Sequence, residues 1–108
     1  MGTFARVTRM VAVYRLETAI MHSMAKESLA GGIGFSPSAE AQMHLLSIFW
    51  SAIYQVLRSG RVIWSDKDEA DGAKSIMVGT CCDGERLRLT LFWSYAPAKV
   101  LVASVERI

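Results

Sequence analysis

The sequence predicts an α+β domain in which N-terminal helices precede a four-stranded antiparallel β-meander. Apolar residues recur at spacings of three and four before Gly60, as in amphipathic helices, and alternate with polar residues beyond it, as in strands. The chain has 108 residues, of which 52% are hydrophobic. This length allows one core and excludes a multidomain enzyme with a separate cofactor module, and the high apolar content favours an oligomer or a protein partner.

Apolar positions with helical spacing predict a first helix near residues 8–29, and Gly31-Gly32 is a typical stop signal. Residues 31–35 are interpreted as a glycine-rich linker. The N-terminal helix and linker therefore occupy residues 1–35, as part of the globule or as an extension of it, and the domain proper spans 36–108.

A second helical region begins with Ser36-Pro37, because a hydroxyl cap followed by proline is a common helix start. Apolar residues then recur at helical spacing from Leu45 to Leu57, and Gly60 ends the pattern. Ser47 or Ser51 can cap a fresh start, so one long helix and two short ones are both compatible with this region.

Four runs with strand-like alternation follow, over residues 61–65, 74–82, 85–94 and 99–107. The acidic segment between the first two runs does not match a calcium-binding loop, because Ala70 occupies the fifth position, and is interpreted as a solvated turn.

Asp83-Gly84 predicts a two-residue type I′ turn between the second and third strands. That turn sets Cys82 opposite Glu85. The core face of the hairpin then carries Ile76, Val78 and Thr80 together with Leu87, Leu89 and Leu91. The opposite, open face carries Arg86 and Arg88, with Gly79 forming a shallow recess beside Arg88.

The register of the last strand is ambiguous from the sequence. Our preferred register sets Ala103 opposite Leu89, because Glu106 then lies opposite Arg86 and forms a favourable charge pair. The same register turns Val100 and Val102 outward. An apolar open face beside arginines predicts a covered surface, with the N-terminal helix, a second copy or another protein as the cover.

The formal net charge is +2, but the charges are unevenly spread. Residues 1–60 contain five basic and three acidic side chains, and residues 61–108 contain seven of each. The sequence therefore lacks the continuous basic stripe that is typical of tight, non-specific phosphate binding.

The two cysteines are adjacent, Cys81 and Cys82, and are interpreted as reduced thiols of a cytoplasmic protein. Neither His22 nor His44 has zinc-ligand spacing to a second sulfur, so we expect no metal and no cofactor. No apolar run is long enough to span a membrane, so we expect no membrane partner.

Three segments resemble a family of small uncharacterised bacterial domains with a His-Ala-x-x-Arg-Met helix signature. They are Ser38-Ala39-Glu40-Ala41-Gln42-Met43, Val56-Leu57-Arg58-Ser59-Gly60-Arg61-Val62-Ile63 and Val102-Ala103-Ser104-Val105-Glu106-Arg107. The resemblance covers about residues 36–108, and the order of elements is similar to that of RelE/ParE-type toxins, several of which are ribonucleases. This chain has Ser38 and Gln42 where the signature has His and Arg, and so lacks those acid/base and phosphate-binding groups.

The candidate catalytic residues are Arg86, Arg88 and His44. The two arginines alternate onto one face, where they can clamp a phosphate or stabilise the transition state of RNA cleavage, and His44 is a candidate base. Arg61 and Arg107 are weaker candidates for phosphate binding. The structural alternatives are a solvated strand face with a Glu106 ion pair, and a packed histidine.

Two further groups of residues have both a chemical and a structural interpretation. A thiol opposite an arginine favours a lowered pKa for Cys81, although no base or oxyanion site accompanies it. Five aromatic residues can be base-stacking groups or core and interface packing, namely Trp50, Tyr54, Trp64, Trp93 and Tyr95.

Two functions fit these observations. The first is a bacterial, toxin-type, RelE-like domain of a toxin–antitoxin system that acts on RNA as a metal-independent ribonuclease. The second is a non-enzymatic protein-interaction module or inhibitor, associated with a mobile element or phage, that uses the same scaffold. The expected partners are RNA, a second copy in a homodimer, or a cognate protein.

Overall fold

The computed structural model describes residues 14–25, 33–68, 72–81, 83–95 and 98–108, without the side chains at positions 67, 68, 72, 95 and 98. This part of the chain forms three helices and five strands. In chain order they are α1 (residues 14–25), β1 (Ile33–Phe35), α2 (Pro37–Leu46), α3 (Trp50–Ser59), β2 (Arg61–Asp68), β3 (Gly72–Thr80), β4 (Arg86–Tyr95) and β5 (Ala98–Arg107). None of the helices in these ranges is long and apolar enough to cross a membrane.

The strands form one mixed sheet in the order β1-β5-β4-β3-β2. Strands β2 to β5 are the predicted antiparallel meander, and the α+β class is confirmed. The expectation of a purely four-stranded antiparallel sheet after all helices is wrong, because β1 precedes α2 and pairs in parallel with residues 100–102 of β5. A three-residue strand with a central glycine has no alternation that would distinguish it from a linker.

Helix α2 begins as the sequence predicts. The Ser36 side chain accepts a hydrogen bond from the Ala39 N–H at 3.0 Å, and Pro37 occupies the first turn. The helix is terminated by the C-cap residue Ser47, which has a left-handed conformation with a φ of 53°, so the region forms two short helices. Phe49 precedes α3 as its N-cap without a side-chain hydrogen bond, and Gly60 follows it as its C-cap.

Helix α1 packs on the same core as the other helices, through Met21, Met24 and Ala25. Its Thr18 hydroxyl accepts the Val62 N–H at 2.9 Å, and His22 Nε2 lies 2.6 Å from the Gly60 carbonyl oxygen. The predicted ends of this helix, residues 8–13 and 26–29, lie outside the described residues.

The helices cover one face of the sheet, where Leu87, Leu89 and Leu91 of β4 are fully buried. We call the other side of the sheet the open face. Its described side chains include Arg61, Trp64, Asp66, Lys74, Ile76, Val78, Thr80, Arg86, Arg88, Phe92, Lys99, Leu101 and Glu106.

The β3–β4 turn differs from the prediction by one residue. The Cys81 N–H donates to the Glu85 carbonyl oxygen at 2.9 Å, which closes a three-residue loop. Of the two described residues of this loop, Gly84 has a positive φ, 85°, and Asp83 lacks the positive φ that a type I′ turn requires.

This longer loop shifts the register by one, so Thr80 pairs with Arg86, and Met77 rather than Ile76 enters the core. The predicted faces of β3 are therefore reversed. The predicted faces of β4 are correct, with its leucines buried and Arg86 and Arg88 outside.

The preferred register of β5 is also wrong. The pairing slips between Thr90 and Leu91, where Ala103 is the extra residue of a bulge, and this slip turns Val100 and Val102 into the core. Glu106 consequently lies opposite Arg88 instead of Arg86.

The end of α3 approaches β3 most closely at Gly60 and Gly79. A Cβ atom on Gly60 would lie 2.5 Å from the Val78 carbonyl oxygen and 2.6 Å from the Val56 carbonyl oxygen, and both are backbone atoms. A Cβ on Gly79 would lie 3.0 Å from the Gly60 Cα. Only residues without side chains allow this contact, which fixes where β2 starts beside β3.

We predict that Gly60→Ala lowers the free energy of unfolding by about 1–3 kcal/mol or more, because the new methyl group overlaps two backbone carbonyls. Gly34→Ala is the matched control. Its Cβ would lie 3.6 Å from Leu101 Cδ1, an ordinary contact, so we expect a change within about 0.5 kcal/mol. Urea unfolding measures both values, and equal stabilities for the two variants would contradict the close approach.

Candidate functional site

Three arginines converge at one end of the open face. Arg61 of β2 pairs with Val78 of β3, which pairs with Arg88 of β4, so one cross-strand row holds both guanidinium groups. Two strand spacings separate Arg61 from Arg88 by about 10 Å at the backbone, and Arg86 lies about 7 Å from Arg88 along β4. We call Arg61, Arg86 and Arg88 the arginine cluster.

The three arginines differ in their contacts. Arg88 donates to Glu106 Oε2 from both Nε, at 3.1 Å, and Nη2. Both side chains of this pair are exposed, so the ion pair adds little to the stability of the protein. Another anion can therefore replace Glu106 as the partner of Arg88. The guanidinium groups of Arg61 and Arg86 are exposed and have no hydrogen-bond or ion-pair partner among the described residues. The cluster therefore presents two uncompensated positive charges.

A recess of about 450 Å³ lies beside these two arginines, where α3 joins β2. Arg61 and Arg86 line it together with Gly60, Gly79 and Thr80. Gly79 lines this recess from the helix-covered face of β3, and the neighbouring guanidinium groups are those of Arg61 and Arg86, so the predicted open-face recess beside Arg88 is wrong.

Arg107 lies outside the cluster and has a structural role. Its Nη2 donates to the Leu46 carbonyl oxygen at 2.7 Å and lies 3.2 Å from Glu85 Oε1. A cation at this carbonyl stabilises the C-terminal end of α2. These contacts occupy the guanidinium group of Arg107, which was a weaker candidate for phosphate binding from the sequence.

His44 is also separated from the arginines. It lies exposed in the last turn of α2, beside a recess of about 550 Å³ that Phe35 and Ile48 of the core side also line. This places the imidazole in the helical layer, across the sheet from the open face. The five residues singled out from the sequence therefore do not form one site, since three of them converge and two do not.

The candidate aromatic residues are similarly divided. Trp93 is buried, and its indole N–H donates to Ser75 Oγ at 2.9 Å. Trp50 stacks on Tyr54 in the helical layer, with ring centroids 5.1 Å apart. Of the four with described side chains, only Trp64, which is 39% exposed, lies on the open face.

Phe92 joins Trp64 on the open face and is 46% exposed. Phe92 was not among the candidate residues, although its even spacing from Arg86 and Arg88 along one strand places all three on one face.

The described part of the open face is basic. Its described side chains include five basic residues, Arg61, Lys74, Arg86, Arg88 and Lys99, against two acidic residues, Asp66 and Glu106. The sheet therefore produces the basic surface that the linear sequence lacks.

Cys81 is not an activated thiol. Burial, followed by a hydrogen bond with Asp83, raises the pKa of Cys81 from 9.0 to about 11, so the expectation of a lowered value is wrong. The backbone N–H of Glu85 holds the pKa of Asp83 below its ordinary value.

The same turn brings Cys81, Asp83 and Glu85 within reach of one another, with ligand atoms no more than 4.8 Å apart. However, the thiol donates to the Glu85 carbonyl oxygen at 3.1 Å, and the Glu85 carboxylate pairs with Arg107. These contacts account for the cluster, and we assign no metal to it.

Comparison of the chain with family models, with curated proteins and with solved structures gives no match.

We predict that alkaline pH destabilises the protein partly through Cys81. The native state retains the thiol proton up to about pH 11, whereas the unfolded chain releases it near pH 9.0, so this stabilising contribution is present below pH 9 and is lost across that interval. Urea unfolding at pH 8.5 and 10.5 should show a smaller loss of stability in Cys81→Ala than in the wild type. Equal losses would contradict the raised pKa.

Proposed function

We propose that the open face binds single-stranded RNA, with the arginine cluster holding the phosphate backbone. The observation that carries the proposal is the convergence of Arg61 and Arg86, whose guanidinium groups have no partner among the described residues, on the face that exposes Trp64 and Phe92. Cations beside exposed aromatic rings are the usual components of a surface for single-stranded nucleic acid.

The chemistry of arginine suits a phosphate ligand. A guanidinium group is always charged, and its planar fork can donate two hydrogen bonds to one phosphate. Arg61 and Arg86 are available directly, and Arg88 becomes available when phosphate replaces the exposed carboxylate of Glu106. Three phosphate contacts give an affinity that depends strongly on salt concentration.

The shape of the surface favours single strands over duplexes. Trp64 and Phe92 project from a sheet surface, where splayed bases can stack on them. Bases in an A-form duplex are stacked on one another, so their faces cannot stack on side chains, and their major-groove edges lie in a deep, narrow groove that side chains cannot read. The choice of RNA over DNA follows from the resemblance to RelE-type domains.

The proposal concerns binding rather than cleavage. Cleavage through attack by the 2′-hydroxyl needs a group that removes its proton. His44 lies across the sheet, His22 is bound to the Gly60 carbonyl oxygen, and neither lines the recess beside the arginines. The metal-independent ribonuclease activity of a toxin-type domain stays a prediction. If it is correct, expression of the protein should arrest growth, and Arg88→Ala should relieve the arrest.

A second function, protein binding, is favoured by the corner between α2 and α3. Leu45 is 82% exposed there and Phe49 is 75% exposed, and both flank the turn at Ser47. Two such exposed apolar side chains, four residues apart in the chain, are typical of an interaction surface.

Light scattering should show that the wild type forms a dimer or binds another protein, and Phe49→Glu should abolish this association. A monomer that binds no protein would remove this alternative.

We predict that Arg61→Gln and Arg86→Gln each weaken binding of a labelled single-stranded RNA octamer about three- to tenfold at low salt, because each removes a phosphate contact. Each variant should also reduce the slope of log affinity against log salt by about 0.7. Fluorescence anisotropy in a salt series measures both quantities, and a DNA octamer of the same sequence tests the preference for RNA.

Arg58→Gln is the matched control, since it removes the same charge from α3 in the helical layer. We expect it to retain wild-type affinity and salt slope. Equal losses in all three variants would indicate a general charge effect and contradict a site at the cluster.

A further inference from the structure

A second recess, of about 480 Å³, lies at the opposite end of the open face from the arginine cluster. Gly34 of β1 lines it together with Phe92 and Leu101, whose side chains we call its walls, and Ser94 and Lys99 also line it. Its volume is within the range of sites for small organic ligands. The recess is distinct from the one beside Arg61 and Arg86.

The recess exists because β1 carries a glycine at this position. Gly34 pairs with Leu101, which pairs with Phe92, so the three lie in one row on the same face. A Cβ on Gly34 would lie 3.6 Å from Leu101 Cδ1, with no clash. The backbone therefore tolerates a side chain here, and a branched one would fill the depression.

The walls suit a flat aromatic ligand. Phe92 and Leu101 are both exposed large apolar side chains, and an aromatic wall stacks favourably on the face of a nucleobase. Lys99 also lines the recess, and its ammonium group can donate to the hydrogen-bonding edge of a base.

The charges around the recess favour an anionic ligand. Lys74 Nζ lies 5.8 Å from the centre of the Phe92 ring, and the exposed Lys99 lies on the other side. Among the described side chains of this cross-strand row the one carboxylate, Asp66, lies opposite Lys74 and one strand further from Phe92. A neutral peptide side chain would gain nothing from two flanking ammonium groups, whereas a nucleotide unit has a phosphate on each side of its base.

The recess and the arginine cluster lie within reach of one short strand. Phe92 is four residues from Arg88 along β4, which corresponds to about 13 Å. We propose that this recess seats one nucleobase of the RNA strand whose phosphates bind the arginine cluster, and that it gives the surface its base preference. This inference rests on the proposed function.

Gly34→Val tests the recess by filling it, and Phe92→Ala tests it by removing its stacking wall. The probes are labelled octamers of uridine, adenosine and cytidine, measured by anisotropy at several salt concentrations. We expect each variant to weaken binding of the preferred octamer about 5- to 100-fold and to reduce the differences among the three octamers. The salt slope should stay at its wild-type value, because the phosphate contacts remain.

Leu16→Ala is the control, since it removes an exposed apolar side chain of α1 from the helical side of the molecule and should bind as the wild type does. An octamer with one 5-iodouridine should also crosslink on irradiation within β4 or β5. Crosslinking detects contact even if a variant folds poorly.

The outcomes separate the two proposals. If Gly34→Val and Phe92→Ala bind like the wild type while Arg61→Gln and Arg86→Gln bind weakly, the base recess is wrong and the phosphate site stands. If the wild type binds none of the octamers, both are wrong. A third outcome is that a peptide binds at the recess and the iodouridine octamer gives no crosslink there. The recess would then bind a protein side chain, and the inference would be overturned.

Discussion

The contact between Gly60 and Gly79 is the constraint on which the rest of the arrangement depends. With no side chain at either position, the end of α3 rests directly on the backbone of β3. The chain then continues into β2 with Arg61 opposite Val78. Helix–sheet packing therefore places Arg61 beside Arg86 and Arg88, although these like charges repel one another.

The charge of the binding surface arises from folding. Residues 61–108 contain equal numbers of acidic and basic side chains, but the sheet collects mainly basic ones on its open face. Arg107, which belongs to the same half, stabilises the end of α2 and pairs with Glu85. The net charge of a segment thus says little about the field at one face of a small sheet.

Local signals predicted local structure well. Ser36-Pro37 marks the start of α2, and the two-residue period of β4 places Arg86 and Arg88 outside and the leucines inside. The failures involve partners distant in the chain. Ile33–Phe35 becomes a strand only through its parallel pairing with β5, and the bulge at Ala103 depends on which valines enter the core.

Asp83-Gly84 shows the limit of a turn motif. The dipeptide is compatible with loops of two and of three residues, and the burial of Met77 and Cys81 selects the longer one. In the candidate site, the sequence predicted the common face of Arg86 and Arg88. It did not predict that Arg61 joins them or that His44 lies across the sheet, because both depend on the packing of helices against strands.

An NMR titration of the isotope-labelled protein with a short single-stranded RNA tests the central claim most directly. Our account predicts that the amide and guanidinium signals of Arg61, Arg86 and Arg88 shift together and saturate at one RNA concentration, while those of the α2–α3 corner stay unchanged. Shifts confined to Leu45, Phe49 and their neighbours, or no shifts at all, would contradict it.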